Sequence, residues 1–233
     1  MPAGYMDITE EDNDLRYVVE LDNVYFRSDR GQDVFRDLNF KLEAGHSAII
    51  FGAAGAGKTC MVELLIGRRF AEAGSVEVLG QQLRPRKYRA IRQLRRKTGG
   101  IGGLFGLIPS YTVAQNIEFP MIIAGARKKV RKERLLKMLT EFSLLKQASE
   151  YPNRLTRVEH TLVQFARASV ANQPLIIIDE PLAGLDPKTY QRILGYMVNL
   201  SVSGRSMIIL SSQDFSREIP NVHQYTITNG ALV

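Results

Sequence analysis

The sequence predicts an α/β fold built on a mainly parallel sheet, with an antiparallel β subdomain at its start and a helical subdomain in its middle. Three observations predict it. Short apolar strands, Leu175–Ile178 and Ser206–Leu210 among them, alternate with helical segments, the pattern of strands buried on both faces of a parallel sheet. A glycine-rich loop stands between an apolar strand and a helix. Between Arg86 and Phe142, apolar residues recur at three- and four-residue spacing.

The elements follow in order. Tyr17–Val24 and Val34–Leu42 read as strands rich in β-branched and aromatic residues, joined by a Ser-Asp-Arg-Gly turn. Ser47–Phe51 is a short buried strand, and the glycine loop after it enters a helix from about Lys58 to Ile66, stopped by Gly67. Ser75–Leu79 is another strand. Helices are expected over Arg86–Arg96, Thr112–Ala124 and Lys128–Phe142. Asp186 and Pro187 form an N-cap and first-turn pair for a helix to about Leu200. A further strand starts near His223, and Asn229-Gly230 makes a final tight turn. No repeat or linker splits the chain, so residues 16–233 read as one domain, with the helical subdomain at about 107–165. Residues 1–15, with Asp7, Glu10, Glu11, Asp12 and Asp14, read as a flexible acidic arm.

Composition narrows the class. The 233 residues are 45% apolar and 24% charged, ordinary for a globular chain able to bury a core. Cys60 is the one cysteine, which excludes an internal disulfide. The longest apolar stretches, such as Phe119–Ala126, fall short of the roughly 20 residues that cross a bilayer, so a membrane role requires a partner. The net charge of +7 is clustered: Arg84, Arg86, Lys87, Arg89, Arg92, Arg95, Arg96 and Lys97 fall within 14 residues, and Arg127 to Arg134 form a second run. Such runs suit anionic lipid or nucleic acid, with solvated helix faces as the favoured expectation. No aromatic interleaving or nucleic-acid motif accompanies them, so nucleic acid is not an expected partner.

Gly52-Ala53-Ala54-Gly55-Ala56-Gly57-Lys58-Thr59 satisfies GxxxxGK[ST] in the required strand–loop–helix setting. Small residues let successive amides curl around an oxyanion, and the helix N-terminus adds a favourable dipole. Lys58 is expected to reach the β- and γ-phosphates, and Thr59 to offer its hydroxyl to magnesium. The apolar run Leu175-Ile-Ile-Ile-Asp179-Glu180, about 125 residues after this loop, delivers a carboxylate pair to the sheet edge where ligands sit. Asp179 is expected to hold magnesium and Glu180 to act as general base toward the attacking water. Cys60, beside Thr59, reads as a small packed residue next to the bound nucleotide. His46 and His160 read as isolated surface residues and not a metal site, and His223 carries no expected role.

With these motifs the chain resembles the ABC ATPases over Val18 to Val233. Leu155, Leu175–Glu180, Ala183-Gly184-Leu185-Asp186 and Ser211-Ser212-Gln213-Asp214 follow that family's order of signature, Walker B, D-loop and switch. Within the family it looks most like the cell-division ATP-binding protein FtsE and its lipoprotein-export and macrolide-export relatives. Asn116-Ile-Glu-Phe-Pro-Met-Ile-Ile-Ala-Gly125 and Tyr151-Pro-Asn-Arg-Leu155 carry that likeness. The resemblance implies a P-loop NTPase (RecA-like) fold that binds and hydrolyses ATP with Mg2+. It implies a head-to-tail dimer, homomeric or with a second ABC subunit, in which Thr156, Arg157 and Asp186 meet the partner's nucleotide. It also implies integral membrane subunits as partners, and a peripheral place at the cytoplasmic face of the inner membrane.

The chain departs from the pattern at several places. The family signature reads LSGGQ or LSGGE; here it reads Leu155-Thr156-Arg157-Val158-Glu159. Thr156 with Glu159 keeps a capping box, so the helix start is expected to survive, but both glycines are gone. Either Arg157 places a cation on the partner's γ-phosphate, or the composite site has lost its lid; loss is the favoured reading. Gln213 replaces the switch histidine as a catalytic-site residue that donates a hydrogen bond but shuttles no proton. The glutamine of the Q-loop aligns with Gly106, and Phe105-Gly-Leu-Ile-Pro109 is shorter than usual. The aromatic expected on adenine falls at Ser28, with Tyr25 or Phe26 as substitutes, although strand alternation buries Phe26. Slow turnover is the expected consequence. The alternative is a nucleotide-responsive scaffold that binds MgATP with little or no turnover. An ABC-type DNA-repair protein is disfavoured, because no coiled coil separates the two halves.

Overall fold

The computed structural model describes residues 15–182, 184–215, 219–220 and 222–233. All of the expected acidic arm but Leu15, and Ala183 of the D-loop stretch, lie outside the described residues.

Two sheets organise the chain. The first joins β1 (Tyr17–Arg27), β2 (Asp33–Glu43), β4 (Ala73–Val78) and β5 (Gln81–Gln82) in the order β2-β1-β4-β5, with every pairing antiparallel. The second runs β10-β9-β3-β8-β7-β6, made from β3 (Ser47–Phe51), β6 (Thr98–Ile101), β7 (Leu175–Asp179), β8 (Ser206–Ser211), β9 (Val222–Thr228) and β10 (Ala231–Leu232). Only the β9–β10 hairpin in that sheet is antiparallel. Asn229 and Gly230 both take positive φ at its tip, 52° and 82°, the twist a two-residue hairpin turn needs.

Period-two alternation divides the core. Ala48, Ile50, Leu175, Ile177, Ile208 and Leu210 face helix α1 (Lys58–Leu65) and the antiparallel sheet. Ile49, Ile176, Ile178, Met207 and Ile209 face the other way, toward α3 (Val113–Ile123), α5 (Arg157–Ser169) and α6 (Pro187–Val202). The four apolar side chains of β7 are all 0% exposed. Burial of such side chains is worth about 1.5–3 kcal/mol each, which fixes the strand that carries Asp179.

The helical subdomain contains α3, α4 (Lys128–Glu141) and the start of α5. Asn116, 0% exposed, shapes its entry: Nδ2 donates to the carbonyls of Ile108, Tyr111 and Thr112, and Oδ1 accepts from Ile108 N–H. A fully satisfied buried amide thus pins the segment between Gly106 and α3.

Two expectations are corrected. Helix α2 spans Tyr88–Lys97 and not Arg86–Arg96, because Arg86 sits at φ 67° outside helical space. Strand β6 was not foreseen: its Gly99-Gly100 lowers strand propensity. Both glycines are nonetheless needed, since an added Cβ would meet the Ala168 carbonyl at 2.7 Å and the Phe105 ring. Of the two basic runs expected to be solvated helix faces, the first is so only from Tyr88 on, and in the second Arg131 and Arg134 are half-buried, Arg131 lying 3.3 Å from Glu118 and Arg134 donating to the Val170 carbonyl at 3.3 Å. Ile91 and Leu94 turn inward from α2, and Arg89, Arg92 and Arg96 are exposed.

Candidate functional site

The site forms where β3, β8 and β7 lie side by side and end together, Phe51 opposite Ser211 and Leu210 opposite Asp179. Each strand then releases a polar segment at the carboxyl edge, the place where open α/β sheets bind ligands.

From β3 comes the glycine loop. Gly57, at φ 106°, caps α1, and a Cβ there would strike Val34 Cγ1 at 2.7 Å. Ala53, Ala54 and Gly55 are exposed, Gly52 and Ala56 half-buried, and the amides of the first turn of α1 have no intrahelical acceptor. Lys58 is buried, and its Nζ donates to the carbonyls of Gly52 and Ala53 at 2.7 and 3.2 Å. Thr59 is exposed one residue into the helix. Cys60 packs half-buried against the core, and burial, then the Glu63 carboxylate, raises its thiol pKa.

From β7 come Asp179 and Glu180. Burial, then the charge of Glu180, raises the Asp179 pKa, while the Lys58 ammonium pulls it down. A carboxylate in that setting gains from a nearby cation. Glu180 takes φ 49°, and its N–H continues the ladder to Leu210 O at 2.9 Å. Its Oε1 lies 3.3 Å from Lys58 Nζ. Its Oε2 accepts from Ser212 N–H at 3.1 Å and Ser212 Oγ at 3.0 Å.

Behind Asp179 stands Gly102, φ 117°, where a Cβ would lie 2.6 Å from the Asp179 carbonyl and 2.8 Å from its Cβ. Gln164, 5% exposed, holds this turn: it accepts from Gly102 N–H at 3.2 Å and donates to the carbonyls of Gly102 and Phe105, both at 3.1 Å. Arg167 donates to the carbonyls of Phe105 and Gly106, and burial lowers its pKa to about 10.

From β8 comes Gln213. Its N–H donates to Ser211 Oγ at 3.0 Å, and that hydroxyl returns a bond to Gln213 O at 2.9 Å. The side chain of Gln213 is exposed.

A second group assembles at the start of α5. The expected capping box is present: Glu159 N–H donates to Thr156 Oγ1 at 3.2 Å, and Thr156 N–H to Glu159 Oε2 at 2.8 Å. Arg157 reaches across to the D-loop of its own chain, and a Cβ added at Gly184 would stand 3.1 Å from Arg157 Nη1. Asp186 caps α6 through Lys188 and Thr189 N–H, both at 3.1 Å. The chain therefore brings Gly52, Ala53, Lys58, Asp179 and Glu180 into one cluster, and sets Arg157 beside Gly184, while Thr156 and Asp186 serve as caps of their own helices.

Phe26 is buried as expected, while Tyr25 is half-buried and bonded to Asp33 and Arg27. The reading of His46 as isolated needs correction, because its ring centroid lies 5.6 Å from that of His223. Parallel pairing of β3 with β9 brings the two together, which spacing alone does not reveal. Among the described residues no group of three or more His, Cys, Asp or Glu could hold a metal. Sequence reasoning also gave no role to Gly102, Gln164, Arg167 and Ser212. Only Ser212 left a trace, by standing next to Gln213.

A loop shaped for an oxyanion, its lysine facing a carboxylate pair at the carboxyl edge of a parallel sheet, defines a P-loop nucleotide-binding protein. The chain belongs to the ABC transporter family, whose model matches residues 35–183. It is 31% identical over 84% of its length to the methionine import ATP-binding protein MetN of Latilactobacillus sakei. It is 28% identical over 93% of its length to the cell division ATP-binding protein FtsE of Streptococcus pneumoniae, covering 94% of that protein. The chain spans 57% and 59% of the first two MetN relatives it matches. Among solved structures, the dimeric bacterial ABC transporter cassette MJ0796 superposes with TM-score 0.82 at 24% identity, over 92% of this chain and 96% of that one. CbiO1 of Clostridium perfringens, part of the transporter complex CbiONQ, superposes at 0.79 with 19% identity, over 94% and 88%. These likenesses show the RecA-like P-loop fold with its antiparallel and helical additions.

Proposed function

We propose that this chain binds ATP with magnesium and hydrolyses it slowly, as one of two head-to-tail cassettes that drive an integral membrane partner at the cytoplasmic face of the inner membrane. The observation that carries the reading is the Lys58 ammonium, held by the carbonyls of Gly52 and Ala53 and facing Glu180 at 3.3 Å. Fixed positive and negative poles at one loop suit a metal-bound triphosphate.

The Thr59 hydroxyl and Asp179 are the residues that would hold magnesium, which when bound neutralises phosphate charge. Amides of residues 53 to 60 and Lys58 grip the phosphates. Glu180 accepts a proton from water as the water oxygen bonds to the γ-phosphorus. The bond to the bridging oxygen breaks, and its electron pair stays on ADP. Gln213 donates an amide hydrogen bond to phosphate. Thr156, Arg157 and Asp186 face the nucleotide of the second cassette, which is a copy of this chain or another ABC subunit. We take residues 16–233 as one cassette, with its helical part at about 107–165.

Slow turnover rests on Arg157 and Val158 in place of glycines, on Gly106 in the Q-loop and on Gln213. Within the family we place the chain with the cell-division and export group. The stretches Asn116–Gly125 and Tyr151–Leu155, with the 28% identity to FtsE over 93% of this chain, support that placement. The contact of Arg157 with its own Gly184 favours a second reading, a nucleotide-responsive scaffold that turns over little.

Magnesium-dependent ATP binding and turnover, measured for the wild type and Glu180→Gln, decide the matter. Turnover lost in the variant supports hydrolysis, binding without turnover in either supports the scaffold, and no binding at all ends both readings.

A further inference from the structure

We infer that Ser212 is a positioning residue for Glu180, an inference that rests on Glu180 acting as the general base. Glu180 sits in the left-handed region at φ 49°, which a non-glycine side chain rarely adopts. Such a conformation persists where the surroundings over-determine it, and these do. The Glu180 N–H is taken by Leu210 O at 2.9 Å, and Oε2 by both the N–H and the hydroxyl of Ser212 at 3.1 and 3.0 Å.

The grip divides the carboxylate. Oε2 is spent on Ser212, so Oε1 is the oxygen turned toward Lys58, at 3.3 Å, and toward the phosphate side of the loop. A base acts only when a lone pair points at the proton it takes. Fixing Oε2 selects which oxygen does so and spares the carboxylate from reorienting during reaction. The adjacent serine has a different partner: Ser211 Oγ closes a ring with the backbone of Gln213. Thus two consecutive serines at the end of β8 fix the two switch-side groups separately. In a chain whose switch residue is a glutamine without proton-shuttling capacity, control of the Glu180 rotamer falls to Ser212.

The test compares wild type, Ser212→Ala and Ser212→Thr for magnesium-ATP affinity and turnover, with Ser212→Ala repeated in Glu180→Gln. Alanine keeps the N–H and removes only the hydroxyl. Turnover should fall about tenfold, the scale of one hydrogen bond to a charged group, while ATP affinity stays within about twofold. Threonine should restore turnover, and the alanine change should add no further loss once Glu180 is gone. A Ser212→Ala enzyme as fast as wild type, or one that loses affinity and thermal stability along with turnover, overturns the positioning role while leaving ATP hydrolysis standing. A wild type that binds ATP without turnover overturns the hydrolytic reading and this inference together.

Discussion

Lys58 Nζ and Glu180 Oε1 stand 3.3 Å apart, joining the loop after β3 to the end of β7 across the intervening strand β8. The pair is the electrostatic centre of the site, because Lys58 is 9% exposed and neither charge is freely hydrated. Removing either partner therefore has different consequences. Lys58→Ala is expected to weaken ATP binding more than about tenfold, since charge-assisted bonds to phosphate are lost. Glu180→Gln is expected to keep binding and lower turnover by about 10²–10⁴-fold, the usual contribution of a general base. Titration with a fluorescent ATP analogue and phosphate release separate the two.

Gly102 is the support on which Asp179 rests. At φ 117° and ψ −172° its backbone is open essentially only to glycine, and a Cβ would press on the Asp179 carbonyl at 2.6 Å. Gly102→Ala is expected to cost about 1–3 kcal/mol in denaturant unfolding. It should also raise the magnesium concentration needed for half-maximal ATP binding. A variant with wild-type stability and magnesium dependence contradicts this role.

The start of α5 depends on a reciprocal pair. Thr156→Ala is expected to destabilise the chain by about 1 kcal/mol, because the Glu159 N–H loses its acceptor. The Thr156 backbone bond holds the Glu159 pKa below the ordinary 4.5. A lowered folded pKa means that the contribution of Glu159 is present above 4.5 and is lost as pH falls through the folded value. Unfolding curves for wild type and Glu159→Gln should therefore differ at neutral pH and converge in acid.

Gly106 carries no steric obligation. Its φ of −49° suits any residue, and an added Cβ would meet nothing within 4 Å. Gly106→Gln is expected to change stability by no more than about 0.5 kcal/mol. Combined with Gln213→His it should raise ATP turnover about tenfold or more, as far as one restored acid–base group contributes. If turnover stays flat in the double variant, the slowness originates at the signature and not at the Q-loop and switch.

Which parts of this were legible in the chain follows from the range of each interaction. The glycine loop, the apolar run into Asp179-Glu180, the Thr156–Glu159 box and the Asp186 cap are written within a few consecutive residues, and the structure has each of them. The alternation of apolar strands and helices likewise gave the α/β class, because side-chain period follows directly from backbone geometry. Strand β6 escaped because its glycines answer to Ala168 and Phe105, far along the chain or folded back upon it.

The rest was decided by strand order. Placing β8 between β3 and β7 sets Ser212 against Glu180 and Glu180 against Lys58, residues 32 and 122 positions apart. Pairing β6 with β7 puts Gly102 behind Asp179, and the packing of α5 brings Gln164 and Arg167 onto the turn that follows. Composition and spacing alone determined that a phosphate loop and a carboxylate pair exist on a parallel sheet. Only the tertiary fold decided which oxygen of Glu180 faces the loop and that Arg157 lies beside its own Gly184, since contacts between distant segments exist only after the sheet has fixed their distance and direction.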